Sequence, residues 1–243
     1  MKPVYRIYDR DNPISIYSFI FTLEGIDSRM YVAECDKHAI VVDPIISDDA
    51  YELLRGIGTD NILVLLTHEH YDHISGVNRI KELFDATVIC SEECGRLIKK
   101  PEKNLSKYYT ALFMLRDKEN DEPGAKEKIL NIPLYSCEAD KVFYDGMAFD
   151  FCGHSISLKE TPGHSKGSMC ISVDQSTIFT GDSLLNGIRV STKLPGGDRR
   201  AFEAETIPFL MDLPGCMAVF PGHGEMGVLD ALLAEELAHA AKR

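Results

Sequence analysis

The chain has 243 residues, 44% of them hydrophobic and 26% charged, proportions that exclude a disordered, collagenous or coiled-coil protein. Its 26 Lys and Arg against 38 Asp and Glu leave a net charge of −12, which repels polyanions and argues against nucleic acid as a partner. No apolar run approaches the roughly 20 residues of a membrane span, and no signal-peptide core follows Met1–Arg6, so a cytoplasmic chain without membrane contact is expected.

In chain order, Ile14–Phe21, Met30–Glu34 and Ala39–Asp43 read as strands, rich in β-branched and aromatic residues. Ser47-Asp48-Asp49 supplies an N-cap and an acidic first turn for a helix to about Arg55. Ile62–Leu66 is continuously apolar, as a strand buried on both faces should be. Val77, Ile80, Leu83 and Phe84 recur at helical spacing, and Ala86–Cys90 returns to strand. The stretch from about 99 to 140 is charged and carries Pro101, Pro123 and Pro133, which marks it as an insertion. Within it a helix over Leu105–Leu115 would carry Tyr108, Tyr109, Phe113 and Met114, either lining a pocket or meeting a second copy in a homodimer.

Beyond the insertion, Val142–Phe151 reads as a hairpin around Asp145-Gly146. Ser155–Glu160, Ser168–Val173, Thr177–Thr180 and Met217–Phe220 read as strands, and Arg200–Met211 and Met226–Lys242 as helices. Strands with helices on their outer faces predict one α/β domain over 1–243, a sandwich of two mixed sheets. The seven cysteines form no C-x-x-C pair and are expected as reduced, mostly buried thiols.

Chemistry concentrates in Thr67-His68-Glu69-His70-Tyr71-Asp72-His73, directly after the apolar run Ile62–Leu66. So many imidazoles and carboxylates at a strand end each need a partner, and a divalent cation would satisfy them together. His68 and His70, two apart on a chain leaving a strand, can face one ion, and Asp72 and His73 a second beside it. Three more ligand-type residues follow glycines near strand ends: His164 in Thr-Pro-Gly-His, Asp182 in Thr-Gly-Asp and His223 in Pro-Gly-His-Gly. Glu69 and Tyr71 are read as loop residues pointing away from the site. His38, His154 and His239 lack the strand-end glycine setting and are expected at the surface or in loops.

H-x-H-x-D-H followed in order by these three motifs resembles the metallo-β-lactamase-fold hydrolases, and within them the glyoxalase II-like branch. The resemblance spans roughly residues 18–228 apart from the insertion. It implies a four-layer αββα sandwich and two divalent metal ions, with zinc expected first and iron or manganese admissible. His68, His70 and His164 would hold one ion, Asp72, His73 and His223 the other, and Asp182 would bridge them. It further implies that a hydroxide between the ions attacks a small thioester, lactone or related ester, with Asp72 orienting it as the catalytic residue. Asp43 resembles the aspartate that braces the histidine loop behind the ligands. The persulfide dioxygenases, with one iron, are the alternative on this fold, and a non-enzymatic sensor is a third.

Two departures bear on specificity. Relatives often read Gly-Arg-Thr-Asp before Leu-Pro-Gly-Gly-Asp, whereas this chain has Val190-Ser191-Thr192-Lys193 before Leu194-Pro195-Gly196-Gly197-Asp198. The helical substrate domain that follows the last ligand in full glyoxalase II enzymes has no counterpart in the 20 residues after His223. Both leave the substrate unnamed and the ligand set intact.

Overall fold

A computed structural model describes residues 1–8, 12–23, 26–59, 61–108 and 134–241. Two mixed sheets face each other. The first is ordered β1 (Tyr5–Ile7), β2 (Ile14–Leu23), β3 (Ile26–Cys35), β4 (His38–Val42), β5 (Ile62–Leu65), β6 (Ala86–Ser91) and β7 (Lys141–Phe143). The second contains β8 (Gly146–Phe151), β9 (His154–Glu160), β10 (Met169–Val173), β11 (Thr177–Gly181), β12 (Ala218–Pro221) and β13 (Gly227–Val228), with β8 and β13 at its edges.

Helices cover both outer faces. On the first sheet lie α1 (Asp48–Ile57), α2 (Tyr71–Ile74), α3 (Val77–Leu83) and α4 (Glu92–Leu97). On the second, α5 (Arg199–Ala201) runs through a π-helical turn, Phe202–Thr206, into α6 (Ile207–Met211), and α7 spans Leu229–Ala241. Among the described residues no helix is long and apolar enough to cross a membrane.

The two-residue period of a strand explains why the sequence makes four layers. In β5, Val64 turns outward to meet Leu54 and Ile80 of the helices, while Leu65 turns inward. In β11, Ile178 turns out towards Leu210 and Leu232, while Phe179 turns in towards Tyr31 and Phe220. Each central strand therefore carries apolar residues on both faces, and burying one such side chain contributes roughly 1.5–3 kcal/mol. The Ser47 hydroxyl caps α1 as the sequence predicts, accepting from the Ala50 N–H at 3.3 Å, and Gly58 closes that helix in the left-handed conformation.

β4, β5, β6 and β7 run parallel, as do β11 and β12. β9 and β11 each pair antiparallel with β10 and so share one direction. The loops after β4, β5, β9, β11 and β12 meet at one end of the sandwich.

Two expectations change. Val142–Phe151 is not a hairpin: β7 pairs with β6 in the first sheet and β8 with β9 in the second. A type I′ turn needs left-handed backbone at both central residues, and here Asp145 has it while Gly146 does not, so the chain steps between sheets. The last helix begins at Leu229 rather than Met226, because Gly227–Val228 pair with β12. The helix expected over Leu105–Leu115 falls largely outside the described residues, as do Tyr109, Phe113 and Met114.

Candidate metal centre

The ligand-type residues arrive by four separate connections. His68 and His70 lie in the turn between β5 and α2, Asp72 and His73 lie in α2 itself, and Met169 N–H donates to Thr67 O at 2.7 Å, tying the start of that turn to the second sheet. His164 follows β9, Asp182 follows β11 and His223 follows β12. Glycines allow the last two approaches. A Cβ on Gly181, already at φ +50, would stand 2.6 Å from Thr67 Cβ. A Cβ on Gly222 would stand 2.4 Å from Asp182 Oδ1 and 2.7 Å from His73 Cε1.

Two triads result. His68, His70 and His164 place one ligand atom each within 4.8 Å of the others, and so do Asp72, His73 and His223. Asp182 lies between them, with Oδ2 at 3.4 Å from His164 Nε2 and 3.3 Å from His223 Nε2, and Oδ1 at 3.6 Å from His73 Nε2. Ring nitrogens face one another at 3.0 Å in His70–His164 and at 3.2 Å in His73–His223. His68 Nε2, His70 Nε2 and Asp182 Oδ1 are buried without a hydrogen-bond partner. Orphaned buried polar atoms are costly in a folded protein, and lone pairs converging on common points are what divalent cations require.

The electrostatics divide along the same line. Burial, with neighbouring imidazoles adding to it, holds His68 well below the ordinary histidine range and His70 at about 3. Burial also lowers His164, against the pull of Asp182. In the other triad burial acts the same way but is outweighed: Asp72 and Asp182 raise His73, and Asp182 and Asp72 raise His223 to about 10. The same attraction overcomes burial at the carboxyls, leaving Asp72 low and Asp182 well below the usual range.

Residues behind the ligands fix their orientation. Asp43, at the end of β4 with a left-handed φ of 51°, accepts the Thr67 N–H at 2.7 Å and the Thr67 hydroxyl, and its Oδ2 is 3.1 Å from His73 Nδ1. Asp43 thus ties the Thr67 turn to the His73 ring. His164 Nδ1 meets Ser191 O at 2.9 Å and His223 Nδ1 meets Asp27 O at 2.8 Å, so both rings present Nε2 inward.

The sequence reading missed three supports. Ser28, fully buried, donates from Oγ to Asp72 Oδ2 at 2.8 Å. Arg29 donates through Nε to Gly224 O and pairs with Glu225 at 2.6 Å, clamping the His223 loop. No motif signals either, because β3 begins at Ile26, four residues before the predicted strand start. The third is Glu69. It points away from the ligands as expected, but it is no exposed loop residue: its buried carboxyl accepts from Ser165 Oγ at 2.7 Å, binding the two histidine turns together. Burial pushes that carboxyl up to about 7. Tyr71 is likewise buried, its ring 5.4 Å from that of Tyr135. His154 is also buried, with Nδ1 on Asp174 and Nε2 2.7 Å from Asn12 O, because the tight β8–β9 turn folds it under the sandwich.

Residues 25–223 match the family model described as the metallo-beta-lactamase superfamily. The chain belongs to the metallo-β-lactamase superfamily. A Mycobacterium tuberculosis protein described as uncharacterised is 30% identical over 203 residues, covering 79% of this chain and 83% of its own. A probable metallo-hydrolase of Streptococcus pyogenes is 26% identical, covering 87% and 84%. A hydroxyacylglutathione hydrolase of Prochlorococcus marinus is 25% identical, covering 65% of this chain and 51% of its own. Among solved structures, a protein named TTHA1623, described in a di-iron-bound form, superposes with a TM-score of 0.62 at 25% identity, covering 90% and 98%. The two sheets and their helices are the metallo-β-lactamase fold, and the His/Asp clusters are those of a metal-binding hydrolase scaffold.

Above the ligands lies a cavity of about 450 Å³, with His164, Asp182 and His223 on its floor. Ile26, Leu185, Ile188 and Leu194 give it apolar walls, and Ile26 with Asp27 comes from the β2–β3 side.

Proposed function

We propose that the chain is a hydrolase that works with two divalent metal ions, zinc first among them, on a small thioester, lactone or related ester, in the manner of the glyoxalase II-like enzymes. The observation that carries this reading is the set of orphaned, buried donor atoms around Asp182. With them stands a triad of ligand atoms on each side of Asp182, whose carboxylate oxygens lie 3.4 Å from His164 Nε2 and 3.3 Å from His223 Nε2, which supports two cations sharing one carboxylate. In this reading His68, His70 and His164 hold the first ion, Asp72, His73 and His223 the second, and Asp182 bridges. When bound, the ions supply Lewis acidity and a hydroxide nucleophile near neutral pH.

The chain's own residues then have separate tasks. Asp72, held through Oδ2 by Ser28, orients the nucleophile towards the cavity. Thr67 and Asp43 keep His68 and His73 in the orientation that presents Nε2 inward. Ile26, Leu185 and Ile188 exclude water from one side of the bound carbonyl compound. The likeness to hydroxyacylglutathione hydrolases supports the thioester class, and the net charge of −12 disfavours phosphodiesters of nucleic acids.

A panel of thioesters, lactones and phosphodiesters tests this with protein as purified, after chelation and after zinc is restored. Thioester or lactone hydrolysis that disappears on chelation and returns with zinc is expected. Oxygen consumption with persulfide substrates, and no hydrolysis of any panel member, would replace this reading with the dioxygenase one.

A further inference from the structure

The end of the sandwich opposite the metal centre holds two tight turns, one from each sheet. β3 passes into β4 through Asp36-Lys37, left-handed at φ 45° and 63°, with Cys35 paired to His38 across the turn. β8 passes into β9 through Cys152-Gly153, left-handed at φ 55° and 86°, with Phe151 paired to His154. Both have the backbone of a two-residue type I′ hairpin, whose first central position favours Asn, Asp or Gly. Asp36 suits that position. Cys152 does not: a left-handed backbone is costly for an ordinary L side chain, and an outlier of this kind points to a task for the side chain that bears it.

That side chain reaches the other hairpin. Cys152 Sγ lies 3.4 Å from Cys35 O, and Cys35 Sγ lies 3.4 Å from Asn12 O. Each thiol acts on the ionisation of the other, and both pack in the apolar cluster between the sheets. The frame around them is fixed. His154, directly after the turn, is fully buried, with Nδ1 on Asp174 and Nε2 2.7 Å from Asn12 O, so one carbonyl meets both Cys35 and His154. Asp150 accepts the Gly153 N–H at 3.1 Å and holds the turn itself.

The two thiols differ in reach. Cys35 is 1% exposed, whereas Cys152 is half-buried. Burial raises both, Cys35 to about 12, but the Cys35 S–H lowers Cys152, so Cys152 ionises first. An accessible thiol that ionises first, backed by a buried neighbour, is a pair in which one sulfur attacks and the other resolves.

We infer that Cys35 and Cys152 form an oxidation site that closes into a disulfide between the two sheets when small disulfides are abundant and reopens when thiols prevail. The Cys152 thiolate attacks a small aliphatic disulfide, forming a mixed disulfide and expelling one small thiolate. Cys35 then loses its proton, attacks Cys152 Sγ and expels the second small thiol. Two protein thiols are oxidised, one small disulfide is reduced to two thiols, and these carry away both protons. The bond joins positions 117 apart in sequence, a long loop whose closure restricts the unfolded chain. It stands at the far end from the cavity, so it acts on stability and leaves the metal centre intact.

Wild-type protein equilibrated with zinc is held overnight in excess hydroxyethyl disulfide, its remaining thiols are alkylated, and the unreduced protein is digested and mapped. A peptide pair joined through Cys35 and Cys152 is expected, with the exposed Cys216 carrying the small thiol instead. The melting temperature should rise by about 5 °C or more and fall back on reduction. Metal content should stay constant, since no cysteine stands among the proposed ligands. Cys35→Ser and Cys152→Ser should each lose the rise, and Cys216→Ser should keep it. If the serine variants fail to fold, the peptide map and melting curves of wild type decide alone. A Cys152 adduct without the cross-link, both thiols left free for alkylation, or a cross-link that does not raise the melting temperature would overturn the inference.

Discussion

The two triads use similar side chains in different surroundings. His68, His70 and His164 are supported by neutral groups, the Thr67 hydroxyl and the Ser191 carbonyl. Asp72, His73 and His223 are supported by Ser28, Asp43 and the Asp27 carbonyl, and they include a carboxylate of their own. Both border the cavity, through His164 and His223, but the first is the more enclosed, with His164 at 4% side-chain exposure against 14% for His223. One centre is thus an enclosed all-histidine pocket on a rigid strand end, and the other a more anionic pocket held by the β2–β3 side. Ligand identity alone would not reveal this contrast; what stands behind each ring does.

Replacing Asp182, which lies between the triads and is proposed to bridge them, is the strongest way to break the comparison. Asp182→Ala should lower hydrolysis by a factor on the order of 10³ or more and reduce metal content at both positions, since shared coordination fails for each ion. Rates and elemental analysis of the same preparation check it. Retention of full metal content would show that Asp182 does not bridge.

Asp43→Asn acts mainly on one side. It weakens the contact to His73 and disturbs Thr67, and outer contacts of this kind are worth about 10–100-fold in metal affinity or activity. Competition with a chromophoric chelator should show one tightly held and one weakened equivalent. Ser28→Ala is milder and confined to Asp72. Losing one buried hydrogen bond of roughly 1 kcal/mol should lower kcat several-fold, leave KM nearly unchanged and keep both metals. A drop in metal content instead would make Ser28 a structural support of the site rather than a positioning residue.

The smallest effect lies outside both triads, at Glu236 of α7, whose Oε2 accepts the Val190 N–H at 3.0 Å. Burial raises its carboxyl above the ordinary 4.5, against the Val190 N–H and Arg189. A carboxyl raised on folding is protonated in both states at low pH, and its ionisation disfavours the folded state once pH climbs above 4.5. Wild type should therefore lose stability relative to Glu236→Gln as pH rises from about 4.5 through the raised value, and the gap should stay constant above it. Melting temperatures of the two proteins across pH 4–8 measure this, and a gap that does not vary with pH would contradict the direction of the shift.

Much of this was legible in the sequence because short-range chemistry fixed it. Ile62–Leu66 had to be a doubly buried strand, and a polar cluster such as His68–His73 could stand only at its end. The glycines at 181 and 222 marked where the chain passes close to Thr67 and Asp182. Illegible were features that depend on packing at long range. The Asp145-Gly146 pair looks like a hairpin turn locally, yet Lys141–Phe143 finds a better partner in β6. Glu69 and His154 look like exposed polar residues until Ser165 and Asp174, distant in sequence, close over them. Ser28 contacts Asp72 across 44 positions, and no local pattern encodes it.

The proposed function requires that two metal ions divide between the triads. Elemental analysis of wild type, His164→Ala and His223→Ala, each purified without added metal and then equilibrated with zinc, tests it most directly. Two equivalents are expected for wild type and about one for each variant. One equivalent in wild type, lost entirely in one variant and kept in the other, would contradict it.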